Sequence, residues 1–205
     1  MADPWGLILS SFWPIAAGGI MGTIPLALAS FVLGLLIPLG IALMRLSSNR
    51  LASGFARGYV SIIRGTPLIV QLFVIFFGLP SIGIVVPSWP SAILAFSLNV
   101  GGYAAEVIRA AILSVPKGQW EAAYTAGMSR GMTLRRIILP QAARVSVPPL
   151  SNTFISLVKD TSLASFVLVT ELFRVAQQIA AFSQAFLLLY IEAALVYWLI
   201  CLVLS

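Results

Sequence analysis

Five stretches in which apolar residues run almost unbroken alternate along the chain with shorter polar or charged segments: 20–44, 59–79, 91–113, 134–157 and 185–204. Each is about 20 residues long, enough for an α-helix to cross the hydrocarbon core of a bilayer. The pattern predicts an all-α integral membrane protein with five transmembrane helices. Pro25 and Pro38 interrupt the first stretch, which is tolerable where neighbouring helices satisfy the freed carbonyls. Ahead of it, residues 1–18 are amphipathic and carry Trp5 and Trp13. They are expected to lie at the membrane interface, with residues 19–205 forming the transmembrane domain.

The longest charged interruption is residues 116–140, PKGQWEAAYTAGMSRGMTLRRIILP. Residues 117–128 read as a short helix with Trp120 and Tyr124 one turn apart. Gly127 lets the chain turn sharply, because glycine has no Cβ to clash in a left-handed conformation. A second helix then begins near Met132, with Arg130, Arg135 and Arg136 at its mouth. The chain therefore leaves the membrane, forms a small knob and re-enters.

Composition supports the membrane reading: 60% of residues are hydrophobic and 9% charged, against roughly 25% charged in soluble domains, and the mean hydropathy is +1.04. The net charge of +6 is not a nucleic-acid signal, because no basic stripe is interleaved with aromatic residues. The positive residues instead mark topology. Arg45, Arg50 and Arg57 follow the first span, and Arg109, Lys117, Arg130, Arg135 and Arg136 surround the knob. Residues 80–90 carry no charge and residues 160–184 hold Arg174 besides Asp160 and Glu171. Hence the N-terminus is expected outside, with the knob and the C-terminus in the cytoplasm. The N-terminus lacks the basic region and cleavage pattern of a secretory signal.

Candidate catalytic chemistry is scarce. Histidine is absent and Cys201 is the single cysteine, which excludes a disulfide framework and Cys/His metal clusters. There is no phosphate-binding Gly-x-x-x-x-Gly-Lys-Ser/Thr loop, no nucleophile–base pair and no closely spaced carboxylate pair. The chain is not expected to be an enzyme, to bind a metal or to hold a cofactor. Uphill transport would draw on a separate ATPase or on an ion gradient. An ion-coupled secondary transporter would use inverted repeats and intramembrane carboxylates. Five spans do not divide into equal halves, and the acids near apolar segments are Glu106, Asp160 and Glu192. Glu192 lies deep in the fifth span, where it is protonated, faces hydroxyls of the fourth span or meets a basic residue of another subunit.

Glu121, Ala122, Ala123, Gly127, Ile137, Leu139 and Pro140 match the pattern Glu-Ala-Ala-x3-Gly-x9-Ile-x-Leu-Pro without a departure. In this the chain resembles the membrane permease subunits of binding-protein-dependent ABC importers. The resemblance implies the type I importer fold, with the knob as the coupling helix. Glu121, Ala122, Ala123, Gly127, Trp120 and Tyr124 would then meet an ATPase subunit, which uses ATP and magnesium itself. It further implies two ATPase subunits, a second permease subunit, identical or paralogous, an extracytoplasmic binding protein, and a place in the bacterial inner membrane. Arg64-Gly65-Thr66-Pro67-Leu68 with Gln71, Tyr103–Arg109, and Lys159-Asp160-Thr161-Ser162-Leu163 resemble segments of the polar amino-acid branch of that family.

The candidate translocation site is the set of polar residues within spans: Ser97 and Asn99 in the third, and Asn152, Thr153, Ser156 and Asp160 in the fourth, beside Ser151. Thr153, Ser156 and Asp160 fall three and four apart, hence on one helix face. These groups either bridge helices or receive an amino acid, with Asp160 meeting its ammonium. Arg64, Gly65, Thr66 and Pro67 either kink the second span, with Arg64 snorkelling to the surface, or shape a gate. Glu106 and Arg109 read as an intrahelical pair. In relatives that import basic amino acids, the position of Thr153 is commonly acidic. The neutral hydroxyl here implies a neutral or polar amino acid without net side-chain charge, and the sequence resembles cystine permeases; import of basic amino acids or of glutamine or glutamate is the alternative.

Overall fold

In the computed structural model, which describes residues 4–205, helix α1 (Pro4–Gly18) passes through a π-turn at Gly19–Thr23 into α2 (Ile24–Gly34) without a break. Pro25 stands just past the π-turn, in which the Ile24 amide reaches back to the Gly19 carbonyl, the kind of local adjustment that accommodates a proline within a continuous helix. Pro38 ends the run: the helix stops at Gly34 and restarts as α3 (Pro38–Arg45). The unbroken part rises about 45 Å at 1.5 Å per residue, more than the ~30 Å hydrocarbon core. Residues 4–18, expected as a separate interfacial segment, are helical, run on into α2 and pack into the bundle, with Ile15 buried against Leu172, Ala176, Ala180 and Leu189. The described residues do not include 1–3.

The approach of the later helices to this first one depends on Gly22. A Cβ there would lie 2.5 Å from the Thr170 carbonyl oxygen, so any side chain would force the segments apart.

Helix α4 (Arg50–Gly65) is capped by the Asn49 side chain, which accepts from the Leu51 and Ala52 amides. It begins before residue 59 because its first turns are amphipathic and escape a hydropathy window. At Gly65–Pro67 the chain bends by 106° into the segment Leu68–Ile82, which opens with α5 (Leu68–Phe73). Thr66 is extended, at φ −121° and ψ 145°, as a residue before proline prefers. Helix α6 (Ser88–Ser114) is central and packs against α2, α3, α4, α5 and α9. Phe96 and Val100 of α6, Leu26 of α2, Leu72 of α5 and Val158 of α9 share the main core.

The knob is α7 (Lys117–Thr125), followed by the single turn α8 (Arg130–Thr133) and a π-turn at Leu134–Ile138 that leads into α9 (Leu139–Asp160). After a 3-10 turn come α10 (Leu172–Ser183) and α11 (Phe186–Leu204). Among the described residues, three helices are long and apolar enough to cross a membrane singly, and two bent pairs raise the number to five.

Three carboxylates tie this bundle together. Glu106 pairs with Arg109 as expected, at 2.5 and 3.1 Å, but its other oxygen binds Arg45. The end of α3 is thereby clamped to α6. Glu171, absent from the acids singled out in the sequence, is fully buried. It caps α10 through the Phe173 and Arg174 amides at 2.8 and 2.6 Å, and accepts the Tyr197 hydroxyl at 2.8 Å. Glu192 is 6% exposed and accepts a 2.6 Å hydrogen bond from Ser11. Its partner therefore lies on α1, not on the fourth span.

Candidate translocation site

A cavity of about 440 Å³ opens between α5, α6 and α9, within the range of roughly 300–1,000 Å³ typical of small-molecule sites. Asn99 and Tyr103 line it from α6, Asn152, Thr153, Ser156 and Asp160 from α9, and Thr66 and Pro67 from the bend before α5. Five of the six residues assigned to the site from sequence thus come together. Ser97 does not. Two positions on a helix are about 200° apart, so Ser97 turns from the cavity, and its backbone carbonyl lies beside Gly34 of α2. Ser151 likewise faces an apolar groove beside Leu28 and Phe31.

Asn152, Ser156 and Asp160 follow one another at intervals of four along α9, one above the next on a single face. None makes a side-chain hydrogen bond or ion pair among the described residues. They form a ladder of an amide, a hydroxyl and a carboxylate with open hydrogen-bonding capacity. Thr153 donates its proton to the Pro149 carbonyl at 2.9 Å, so towards the cavity it offers lone pairs only. Asp160 is the one acidic side chain in the lining, and no cation lines it.

Gln71 belongs to the site although sequence reasoning treated it only as part of a motif. Its amide nitrogen donates to the Ile63 and Thr66 carbonyls at 2.8 and 3.1 Å, and its oxygen accepts from Asn99 at 3.2 Å. The break at Pro67 frees those carbonyls, and the glutamine four residues on satisfies them while orienting Asn99. The recognisable signal was a glutamine placed one turn after a proline break inside an apolar segment. Gln71→Leu is expected to leave the part-buried Ile63 carbonyl and the Asn99 amide without this partner, at about 1–3 kcal/mol per buried orphaned group, while the exposed Thr66 carbonyl turns to solvent. The check is the apparent melting temperature in nanodiscs, and an unchanged value would mean that the amide does not hold the bend.

Tyr103 lines this cavity and also a second one of about 420 Å³, bounded by Arg64, Glu106, Val107, Ala110 and Val145. The Arg64 guanidinium stands 5.4 Å from the centre of the Tyr103 ring, a cation–π contact. Arg64 thus faces this second cavity and not the first. Gly65 lines neither; it marks the bend.

At the knob, α7 closes with the Met128 amide on the Ala123 carbonyl and the Gly127 amide on the Tyr124 carbonyl, both 3.0 Å. This is the Schellman pattern, and Gly127 holds φ +76° in it. Glu121, Ala122 and Tyr124 are exposed. Ala123, expected on the approach face of the knob, is instead buried at 6% exposure. Trp120 is half-buried and packs against the cluster of Ala111, Ile112, Val115, Ile138 and Ala142, 6.3 Å from the Tyr124 ring. The knob therefore has an inner face of Trp120 and Ala123 and an outer face of Glu121, Ala122, Tyr124 and Thr125.

A helical bundle with a half-open polar cavity in its membrane-spanning part, and an exposed, rigidly capped knob at its basic end, defines a membrane transport subunit. The family described as binding-protein-dependent transport system inner membrane component matches residues 34–205, and the chain belongs to it. The L-cystine transport system permease protein TcyB of Bacillus subtilis (strain 168) is 60% identical, over 100% of this chain and 88% of that protein. The probable amino-acid ABC transporter permease protein YckA of the same organism is 43% identical, over 95% and 86%. A crystal structure of an amino acid ABC transporter with histidines is similar at a TM-score of 0.92 and 35% identity, covering 100% of this chain and 95% of that one. The fold is that of an ABC importer permease, as the knob pattern predicts.

Proposed function

We propose that this chain forms the pathway of an ATP-driven amino-acid importer and that its solute is a zwitterion without net side-chain charge, L-cystine foremost. The observation that carries the reading is the cavity between α5, α6 and α9, with one carboxylate, a ladder of neutral polar groups beside it and no cation. The solute's ammonium meets Asp160, and its carboxylate meets the amide of Asn152 and the hydroxyl of Ser156. Each half of cystine is internally neutral, so the remainder adds no net charge. A lysine or arginine would bring a second cation facing only Thr153, and an unpaired charge in such a cavity costs several kcal/mol. The 60% identity to an L-cystine permease supports the same choice.

The chain acts as one of two permease subunits, its partner identical or paralogous, with two ATPase subunits docked on the knobs and a loaded binding protein on the opposite face. The N-terminus is outside, and the knob and C-terminus are cytoplasmic, following the arginine-rich segments. ATP-driven closure of the ATPases presses the knobs together and turns the cavity outward, and hydrolysis returns it inward. The permease itself performs no chemistry.

The test is uptake into proteoliposomes holding this chain and its ATPase, with binding protein outside and ATP inside. Labelled cystine is competed by Arg, Gln and Glu. Cystine-selective, ATP-dependent uptake is expected, and uptake indifferent to ATP would overturn the importer reading. Thr153→Glu is expected to raise Arg transport relative to a neutral amino acid by about tenfold or more, the scale of one added charge pair at ~1.5 kcal/mol or above. An unchanged ratio would remove Thr153 from the pocket.

A further inference from the structure

At the basic end of the bundle, a third cavity, of about 470 Å³, lies where α3, α6, α7 and α8 meet. Its wall is apolar, formed chiefly by Leu43, Leu46, Ile112, Leu113, Leu134 and Trp120, and Lys117, Arg130, Ser47 and Ser48 stand around it. Neither cation has an ion pair among the described residues. An apolar wall of that size has no use for a free inorganic anion, and two unpaired cations beside two hydroxyls do not suit a purely apolar occupant. The combination fits an amphiphile with an anionic head.

We infer that this cavity is a binding site for an anionic phospholipid of the cytoplasmic leaflet, its phosphate between Lys117 and Arg130 and an acyl chain between Leu43 and Leu113. Basic pockets between spanning helices on the cytoplasmic side suit such headgroups. The apolar path continues outward, since Leu113, Leu39 and Leu36 are exposed. The ATPase is a poorer occupant. The face of α7 that is free to dock is Glu121, Ala122, Tyr124 and Thr125, whereas the cavity lies on the Trp120 side that packs into this chain. A lipid there fills the space between the knob and the ends of α3 and α6 and braces the knob against the spans. The assignment to the cytoplasmic leaflet rests on the orientation given under the proposed function, but lipid binding is read without measuring transport.

The experiment is native mass spectrometry of the assembled transporter purified with phosphatidylglycerol or with phosphatidylcholine. Retained phosphatidylglycerol is expected, falling roughly tenfold in K117Q/R130Q and persisting in R135Q/R136Q, whose exposed arginines lie outside the cavity. Equal retention of both lipids, or equal loss in both double variants, would overturn the site. If K117Q/R130Q fails to assemble, a headgroup-diazirine phosphatidylglycerol crosslinked to the unaltered transporter decides. Adducts on residues 43–48 or 112–134 support the site, and adducts confined elsewhere overturn it. Lipid retention together with failed amino-acid uptake would count against the proposed function and leave this site standing.

Discussion

Asp160→Asn is expected to lower ATP-driven amino-acid uptake by about a hundredfold while leaving the protein inserted and bound to its ATPase. The carboxylate closes α9 at the end of the ladder formed by Asn152 and Ser156 and makes no ion pair or hydrogen bond among the described residues. An asparagine has nearly the same shape, so the change isolates the charge. A solute ammonium entering the cavity loses its hydration and finds no other anion there. Removing one member of a desolvated pair costs about 3–5 kcal/mol, and the open side of this cavity brings the expectation to the low end of that range. Asp160→Glu retains the charge on a longer arm and should recover part of the uptake. Pull-down of the ATPase by the variant separates a lost site from a misfolded chain. Uptake within twofold of the unaltered protein would take Asp160 off the solute path.

The long apolar helices were legible because the bilayer makes a simple demand, about 20 predominantly apolar residues, and the sequence meets it in separate stretches. What hydropathy could not place were the segments where packing within the bundle replaces lipid. Residues 4–18 carry Ser10, Ser11 and Pro14 and resemble an interfacial segment, yet Ser11 is buried on Glu192 and Ile15 on α10 and α11. Those partners lie more than 150 residues away in the chain, and no local window contains them. The start of α4 escaped for a related reason: Arg50 and Arg57 depress its hydropathy although Ser53, Ala56 and Val60 face the bundle.

The candidate site was legible where a helical interval could be counted and illegible where azimuth mattered. Thr153, Ser156 and Asp160 share a face by spacing alone, whereas Ser97 and Asn99 look alike in sequence and differ by more than half a turn. Gln71 and Tyr103 were passed over because their roles depend on other elements. Gln71 matters only once the chain bends back at Pro67 and exposes carbonyls to it. Tyr103 matters only because two cavities meet at its ring. Glu171 shows the same limit. A carboxylate in a polar-looking outer segment gave no sign that it would be buried as a helix cap, with Tyr197 donating to it from another helix.

Gly127→Val is expected to abolish solute-stimulated ATPase activity, leaving at most about a tenth, without impairing insertion. The position is left-handed at φ +76°, and a Cβ there would meet no atom of this chain within 4 Å. Any internal cost is therefore conformational rather than steric. A β-branched residue is a rare outlier at positive φ, and backbone strain of this kind amounts to about 1–3 kcal/mol. The two amides that close α7 onto Ala123 and Tyr124 depend on that conformation. The strained variant relieves itself by unwinding the last turn, which carries Tyr124 and Thr125 on the exposed face of the knob. The main cores lie elsewhere, so the spans should assemble. Asparagine tolerates the left-handed region, which makes Gly127→Asn the discriminating comparison. Recovery with Asn and loss with Val would mean that the turn itself transmits the motion. Loss with both would mean that the partner surface needs the empty space above Gly127. Full activity in both would remove the knob from the path by which ATP closure reaches the cavity.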